Sequence, residues 1–358
     1  MGLMVPARGI GQEDHGQTTI KAPSEAAFLR FHTVRIPHVN PALSLDLIQA
    51  AQVLTTLVFA PFLTGFIAHV EARMQGRRGP RVLQTYYDVA KFFRKESLAP
   101  RDASWFFLAA PFIAFVCYLT VPMLIPVLTT YGLPLGTMGD ILGGGFVLAL
   151  ASFSIAVASA ETGSPYAQLS SSRAKTFSAI TEPVILFVVF GVALITATDL
   201  PYALAETVRS SASQIVRPAH LLATGALFMV ILYETGRIPV ESHGGTNEFG
   251  MVESGRSFEH SGPYNAMLVW GSSMKQFVLY TLLINVFIAP WGLAGDKRLW
   301  SVVLAIGALV AKALALGVVV AGIDNSFAKL RLFKITEFIA AAFLLAVVGV
   351  FTVYLGGG

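Results

Sequence analysis

The chain has 358 residues, of which 54% are hydrophobic and only 13% are charged, and its mean hydropathy is +0.66. An ordinary soluble domain carries about 25% charged residues, so this composition excludes a water-soluble globule and indicates a protein embedded in a bilayer. The net charge is only +4 and the basic residues cluster in loops, which is typical of membrane topology and not of a nucleic-acid-binding surface.

Residues 1–42 form a polar N-terminal arm that we expect to be flexible, and they lack the basic start and apolar core of a cleavable signal peptide. Residues 43–358 are predicted to form one membrane domain. Its eight apolar segments lie at 43–69, 104–130, 139–160, 178–198, 218–235, 266–292, 299–322 and 335–356. Because an open sheet cannot satisfy its backbone in lipid, the predicted fold is all-α: a polytopic membrane protein with about eight transmembrane helices and structured cytoplasmic loops.

The first loop, 70–103, sets the predicted orientation. It carries eight basic residues, namely Arg73, Arg77, Arg78, Arg81, Lys91, Arg94, Lys95 and Arg101. Basic residues beside a span favour the cytoplasmic side, and alternation places loops 161–177, 236–265 and 323–334 on that side as well. These loops are long and charged, so we expect them to form a docking surface for a soluble partner.

The second segment contains Cys117, the only cysteine of the chain. One thiol cannot form an internal disulfide, and it cannot hold an iron–sulfur cluster, which usually needs four ligands. The sequence also contains no HExxH or CxxC spacing. We therefore expect no metal and no bound cofactor on this chain, and any redox centre on a partner.

Ionisable residues interrupt the later spans. Glu182 is predicted to open the fourth span just before Pro183, Lys275 lies in the sixth span, and Lys312 lies in the middle of the seventh. A charge at the bilayer centre costs about 2.5–3.5 kcal/mol, so such residues usually face the bundle interior. We expect Lys312 to face a carboxylate, either in a structural ion pair or in a proton path.

Residues 233–262 gather five carboxylates at the end of the fifth span and beyond it, namely Glu234, Glu241, Glu248, Glu253 and Glu259. Pro239 and the pair Gly244–Gly245 rule out one continuous helix. The segment is predicted to combine loop and short helix, partly re-entrant, because irregular backbone is tolerated at membrane depth where it lines a watery cavity. A solvated acidic loop is the alternative.

Six motifs carry a resemblance to a known family: EARMQGRRGPRVLQTYYDVAKFFRKE at 71–96, ETGSPYAQLSSSR at 161–173, TEPVIL at 181–186, ETGRIPVE at 234–241, EHSG at 259–262 and NSFAKLRLF at 325–333. Together they resemble the subunit 1 (H-type) membrane protein of respiratory complex I, and more closely the membrane subunit of hydrogenase-4 and formate hydrogenlyase, the group 4 [NiFe]-hydrogenases. The motifs span nearly all of 43–358. Two positions depart from the family pattern, since Glu241 replaces an aspartate and His260 replaces a tyrosine.

The resemblance implies a subunit at the junction of a membrane arm and a soluble arm. By position it implies a proton path through Glu182, Glu234, Glu241, Glu248 and Glu259, to which the span charges add Lys275 and Lys312. Arg237 lies three residues after Glu234 and is expected to pair with it. The residues expected to face a partner are Arg73, Arg77, Arg78, Gly79, Pro80, Arg81, Asp88, Lys91 and Arg237.

The sequence thus predicts a non-catalytic subunit that anchors a group 4 [NiFe]-hydrogenase to the bacterial or archaeal cytoplasmic (inner) membrane and couples its turnover to proton movement. The expected partners are the hydrogenase large and small subunits, an iron–sulfur protein and antiporter-like membrane subunits. Iron–sulfur clusters and the nickel–iron centre are expected on those partners, and a quinone is possible. Two alternatives stay open, a quinone-site subunit of a complex I-like dehydrogenase and a freestanding secondary transporter.

Overall fold

The computed structural model describes residues 44–100, 103–137, 139–196, 198–210, 213–237, 254–328, 330 and 332–355. The N-terminal arm, Glu241 and Glu248 lie outside the described residues. All of the described residues belong to one unit, 42–358.

The described part of the chain is helical, and its only β pairing is an isolated bridge between Thr129 and Ala294. The helices are α1 (Leu45–Met74), α2 (Gln84–Phe93), α3 (Trp105–Leu124), α4 (Ile141–Ala160), α5 (Pro165–Thr196), α6 (Pro201–Ser210), α7 (Ser213–Val216), α8 (Pro218–Glu234), α9 (Gly262–Leu282), α10 (Leu299–Ser326) and α11 (Leu332–Leu355). A short 3-10 helix at Ser254–Ser257 precedes α9, and a π-helical segment at Leu283–Ile288 continues it.

Seven of the described helices are long and apolar enough to cross a membrane, namely α1, α3, α4, α5, α9, α10 and α11. The fifth predicted span is the shorter apolar helix α8, whose 17 residues extend for about 26 Å. The prediction of an all-α, multi-pass membrane protein is confirmed.

The predicted start of the fourth span was wrong. Helix α5 begins at Pro165, so Arg173 and Lys175 lie on a helix and not in a loop. Glu182 and Pro183 therefore lie within α5 and not at its start. Hydropathy did not indicate these first turns of α5, because they contain the polar run SSSRAK. A helix can nevertheless continue beyond the apolar layer into the aqueous interface.

The loop between α1 and α3 is held against the bundle by backbone contacts. Gly65 of α1 has no space for a side chain, because a Cβ there would overlap the Val82 carbonyl. The Tyr86 hydroxyl donates to the Val58 carbonyl, also on α1. Ser261 Oγ accepts from Leu98 N at 2.6 Å and donates to Leu98 O at 2.9 Å. This loop comprises residues 75–104, and the end of the bundle on which it lies is called the basic end.

At the opposite end, extended backbone enters the bundle between helices. Gln52 of α1 receives a hydrogen bond from Leu128 N at 3.2 Å and donates to Ile125 O at 2.9 Å. Ala294 N donates to Leu128 O at 2.7 Å, which joins this segment to the one before α10. Buried side chains thus satisfy backbone groups that helices would otherwise satisfy internally.

Candidate functional site

A buried ion pair joins α8 to α9. Lys275 Nζ lies 2.7 Å from Glu234 Oε2, and the exposed fractions of these side chains are 5% and 19%. A charge at this depth needs a partner, since removing one member leaves the other unpaired in a medium of low dielectric. Two residues predicted for the proton path are therefore in direct contact.

A second cluster brings together three elements near the basic end. Arg237, just beyond α8, donates from Nη1 to Glu71 Oε1 at 2.5 Å and to Asp324 Oδ2 at 3.4 Å. Glu71 lies near the end of α1, and Asp324 lies near the end of α10. Among the described residues, the cluster has two carboxyl groups around one guanidinium.

The structure corrects two expectations for Arg237. Within the described residues its partners are Glu71 and Asp324, and not Glu234, which pairs with Lys275. The chain turns at Gly236, whose φ is +60°, directly after α8, so spacing along a continuous helix does not apply. Arg237 is also only 4% exposed, so it does not lie on the exposed docking face predicted for it.

A chain of polar side chains in the interior begins at Tyr280 of α9. Its hydroxyl accepts a hydrogen bond from Gln276 Nε2 at 3.1 Å, and Gln276 Oε1 accepts one from Thr64 Oγ1 at 3.1 Å. Tyr280 and Gln276 are both buried. Hydroxyl and amide groups at such distances form a continuous hydrogen-bonded chain between α9 and α1.

Glu182 and Glu234 line one cavity of about 410 Å³ between α4, α5, α8 and α9. Most of its lining is apolar, and its other charged lining residues are Lys175 and Arg256. Arg256 Nη1 donates to Ser152 Oγ at 3.0 Å, which ties the 3-10 helix to α4. The cavity brings together residues that are far apart in sequence, so Glu182 and Glu234 share one space.

Lys312 does not face a carboxylate among the described residues, contrary to the expectation. Its Nζ donates to Asn285 Oδ1 at 2.6 Å, Ala289 O at 3.0 Å and Trp291 O at 2.9 Å. The partners are thus an amide and two backbone carbonyls. The structure does not bring Lys312 into the Glu234–Lys275 pair or the Arg237 cluster.

Glu259 is half-buried in the turn that leads into α9, next to buried His260. The His260 ring stacks on Phe107 of α3, with ring centroids 4.1 Å apart and planes 5° apart. Within the described residues neither ring nitrogen has a hydrogen-bond partner. Burial lowers the pKa of His260 to about 4, so the ring is neutral near neutral pH. His260 therefore lies in the interior of the described structure and not on its surface.

The other predicted docking residues lie at the basic end. Arg73 is in the last turn of α1, Arg77, Arg78 and Arg81 follow it, and all four are exposed. Lys91 Nζ pairs with Asp88 Oδ1 of α2 at 3.2 Å on the surface. Gly79 packs against α1, and the Pro80 carbonyl lies 2.8 Å from His69 Nδ1. Arg73 thus extends from α1 itself, and Arg77, Arg78 and Arg81 lie on a loop whose backbone is fixed to the bundle.

Sequence reasoning missed Glu71 and Asp324 as members of the ionic cluster, and Gln276, Tyr280 and Asn285 as buried polar residues. Glu71 opens the longest motif, and Asp324 directly precedes the motif NSFAKLRLF. Their positions beside these motifs were the available signal. Polar uncharged residues within an apolar helix left no comparable signal, because hydropathy averages over them.

A helical bundle with buried ion pairs and an exposed basic loop defines a multi-pass membrane protein with a polar interior site. Residues 48–355 match the NADH dehydrogenase family, and the chain belongs to its subunit 1 group. It is 30% identical over 281 residues to formate hydrogenlyase subunit 4 of Escherichia coli, which covers 78% of this chain and 90% of that protein. It is 28% identical over 297 residues to Escherichia coli hydrogenase-4 component C, covering 83% and 92%.

A solved structure shares the fold. A chain of the archaeal membrane-bound sulfane sulfur reductase, a respiratory membrane complex, matches with a TM-score of 0.74 at 19% identity. The match covers 87% of this chain and all of the other chain, 100% of its length. The resemblance inferred from the motifs is therefore confirmed, and these relatives belong to hydrogenase or respiratory complexes.

Proposed function

We propose that this chain is the membrane-anchoring and proton-coupling subunit of a group 4 [NiFe]-hydrogenase complex of the hydrogenase-4/formate hydrogenlyase type. It docks the soluble hydrogenase arm to the membrane arm in the bacterial or archaeal inner membrane. The names of the two curated relatives support this assignment. The observation that carries it is that two buried ionic groups, Glu234–Lys275 and the Arg237 cluster, lie inside a bundle whose basic end presents exposed arginines.

The docking role follows from the loop at 75–104. Arg77, Arg78 and Arg81 of this loop are exposed, yet Gly65 and Ser261 fix its backbone to α1 and to the start of α9. A fixed cationic surface suits an acidic protein partner, because its geometry is set before binding. The partner subunits are the hydrogenase large and small subunits and an iron–sulfur protein, with antiporter-like subunits alongside in the membrane.

The coupling role is supported by the two carboxyl groups that Arg237 contacts. Two carboxylates held close together favour the binding of a proton by one of them, so this pair can take up and release a proton. The Tyr280–Gln276–Thr64 chain offers groups that donate and accept protons further inside. A change of charge in a docked redox partner alters the protonation of nearby carboxylates.

The redox centres belong to the partners in this proposal. The described residues contain no group of three or more His, Cys, Asp or Glu side chains that could hold a metal ion. Cys117, the single thiol, is buried in α3. In this proposal the chain contributes position and charge, and the partner's nickel–iron and iron–sulfur centres transfer electrons.

Affinity purification in mild detergent tests the assignment. We expect hydrogenase-like subunits, nickel and iron to co-purify with the chain. A preparation that lacks nickel and reduces quinone would instead identify a dehydrogenase subunit. A lone chain that transports a solute would identify a secondary transporter. Either of these results would overturn the proposal.

A further inference from the structure

The oxygen atoms around Lys312 come from a broken helix end. Ala289 and Trp291 follow the π-helical segment that ends at Ile288, and their carbonyls lie 3.0 and 2.9 Å from Lys312 Nζ. Carbonyls at a helix C-terminus carry partial negative charge, which favours a cation. Lys312 lies within the apolar helix α10, which is long and apolar enough to cross a membrane, and these carbonyls lie in the segment between α10 and the preceding candidate span.

The third oxygen is held in place by a separate element. Asn285 Nδ2 donates to Pro126 O at 2.9 Å and to Val127 O at 3.0 Å. Because an amide nitrogen only donates, these two carbonyls fix the amide orientation and turn Oδ1 towards Lys312, 2.6 Å away. The fully buried Asn285 amide is thus oriented by two contacts other than the one to Lys312.

We propose that Asn285 Oδ1, Ala289 O and Trp291 O form a monovalent-cation site in which the Lys312 ammonium is the resident cation. The three ligands are neutral oxygens, which hard cations prefer. No described carboxylate pairs with Lys312, so the site balances one positive charge with dipoles and lacks the anions that a divalent ion needs. Broken helix ends bind Na⁺ in this manner in membrane transporters.

The tethered ammonium holds three segments together. It attaches α10 to the end of α9, and through Asn285 it attaches both to the extended backbone at 126–127. Lys312 is therefore a positioning residue that makes the site independent of dissolved cations. This inference concerns the end of α9 and does not depend on the proposed hydrogenase partnership.

Lys312→Ala tests the site, because it vacates the position of the ammonium and keeps the three oxygens. The full-length chain, with the proteins that co-purify, is heated in sodium, potassium, ammonium or choline chloride at one ionic strength. We expect the unfolding midpoint of the variant in choline to fall, and at least one small cation to recover about 4 °C or more. The wild-type midpoint should be the same in all four salts.

Lys334→Ala is the matched control, since Lys334 is an exposed lysine that pairs with Glu337 on the surface. Its midpoint should not depend on the cation. Equal midpoints of Lys312→Ala in all four salts would overturn the proposal, as would the same cation dependence in the control. If the alanine variant does not survive solubilisation, Lys312→Ser, which adds a hydroxyl oxygen, replaces it. Loss of both variants in every salt also contradicts an exchangeable site.

Discussion

Arg237 is the residue on which α1, α10 and the segment after α8 converge. Its side chain is 5% exposed, and it contacts one carboxylate from each helix. Arg237 was predicted from the sequence to be a docking residue paired with Glu234. Both its predicted partner and its predicted exposed position were wrong. The charged residues could be found from hydropathy, whereas their pairing could not, because Glu71 and Arg237 are separated by 166 positions.

Arg237→Gln should destabilise the chain by about 3 kcal/mol, because Glu71 and Asp324 then lose the buried cation that joins them in the described part of the site. Thermal unfolding of the solubilised protein measures this loss. Adding Asp324→Asn to the variant removes one of the two charges and should restore part of the stability. Independent, additive losses from the two substitutions would contradict the cluster as described.

The stability of the chain is expected to depend on pH through His260, and to fall as the pH falls. Burial lowers the pKa of His260 from an ordinary 6.5 to about 4, so the unfolded chain binds the proton first as the pH falls. Stability should therefore decrease between pH 6.5 and 4 and then level off, with a loss of about 3 kcal/mol.

His260→Phe should remove this component, because it keeps a flat ring on Phe107 but cannot be protonated. The measurement is the unfolding midpoint of both proteins at a series of pH values from 7 to 4. An unchanged slope in the phenylalanine variant would show that other groups cause the dependence.

Helix α5 illustrates what hydropathy finds and what it misses among the elements. The apolar half of α5 was predicted as a span, but the helix begins at Pro165 with a polar run. Helical backbone is satisfied by its own hydrogen bonds, so a helix can extend beyond the apolar layer into water. Hydropathy therefore identifies the part of the helix that lies in lipid, but it does not identify the residue at which the helix begins.

The close approach of α1 to the basic loop can be tested at one glycine. Gly65→Ala should displace the loop, because a Cβ there would overlap the Val82 carbonyl. Limited proteolysis should then cut residues 75–104 faster, while the chain still inserts into the membrane. Gly307→Ala in α10 is the matched control, since a Cβ there meets nothing within 4 Å. Equal cleavage rates in the two variants would contradict this packing.

The architecture of the membrane domain could be predicted almost completely from the sequence. Apolar segments long enough to cross a bilayer have few alternatives to forming helices, because their backbone groups must be satisfied in lipid. The eight predicted segments correspond to helices α1, α3, α4, α5, α8, α9, α10 and α11. The interior site was predictable only in part. Glu234 and Lys275 were both assigned to the proton path, but their contact depends on how α8 packs against α9, which the spacing along the chain does not encode.

The central claim is that buried charges of this chain couple turnover in a partner to proton movement. Glu234→Gln tests it most directly, because the change removes the charge that faces Lys275 and preserves the shape of the side chain. The measurement is the ratio of protons moved to turnovers in vesicles that contain the purified complex. Glu337→Gln is the control, as Glu337 is 65% exposed on the surface. We predict an assembled, active complex with a lower ratio in Glu234→Gln only; an unchanged ratio would contradict the account.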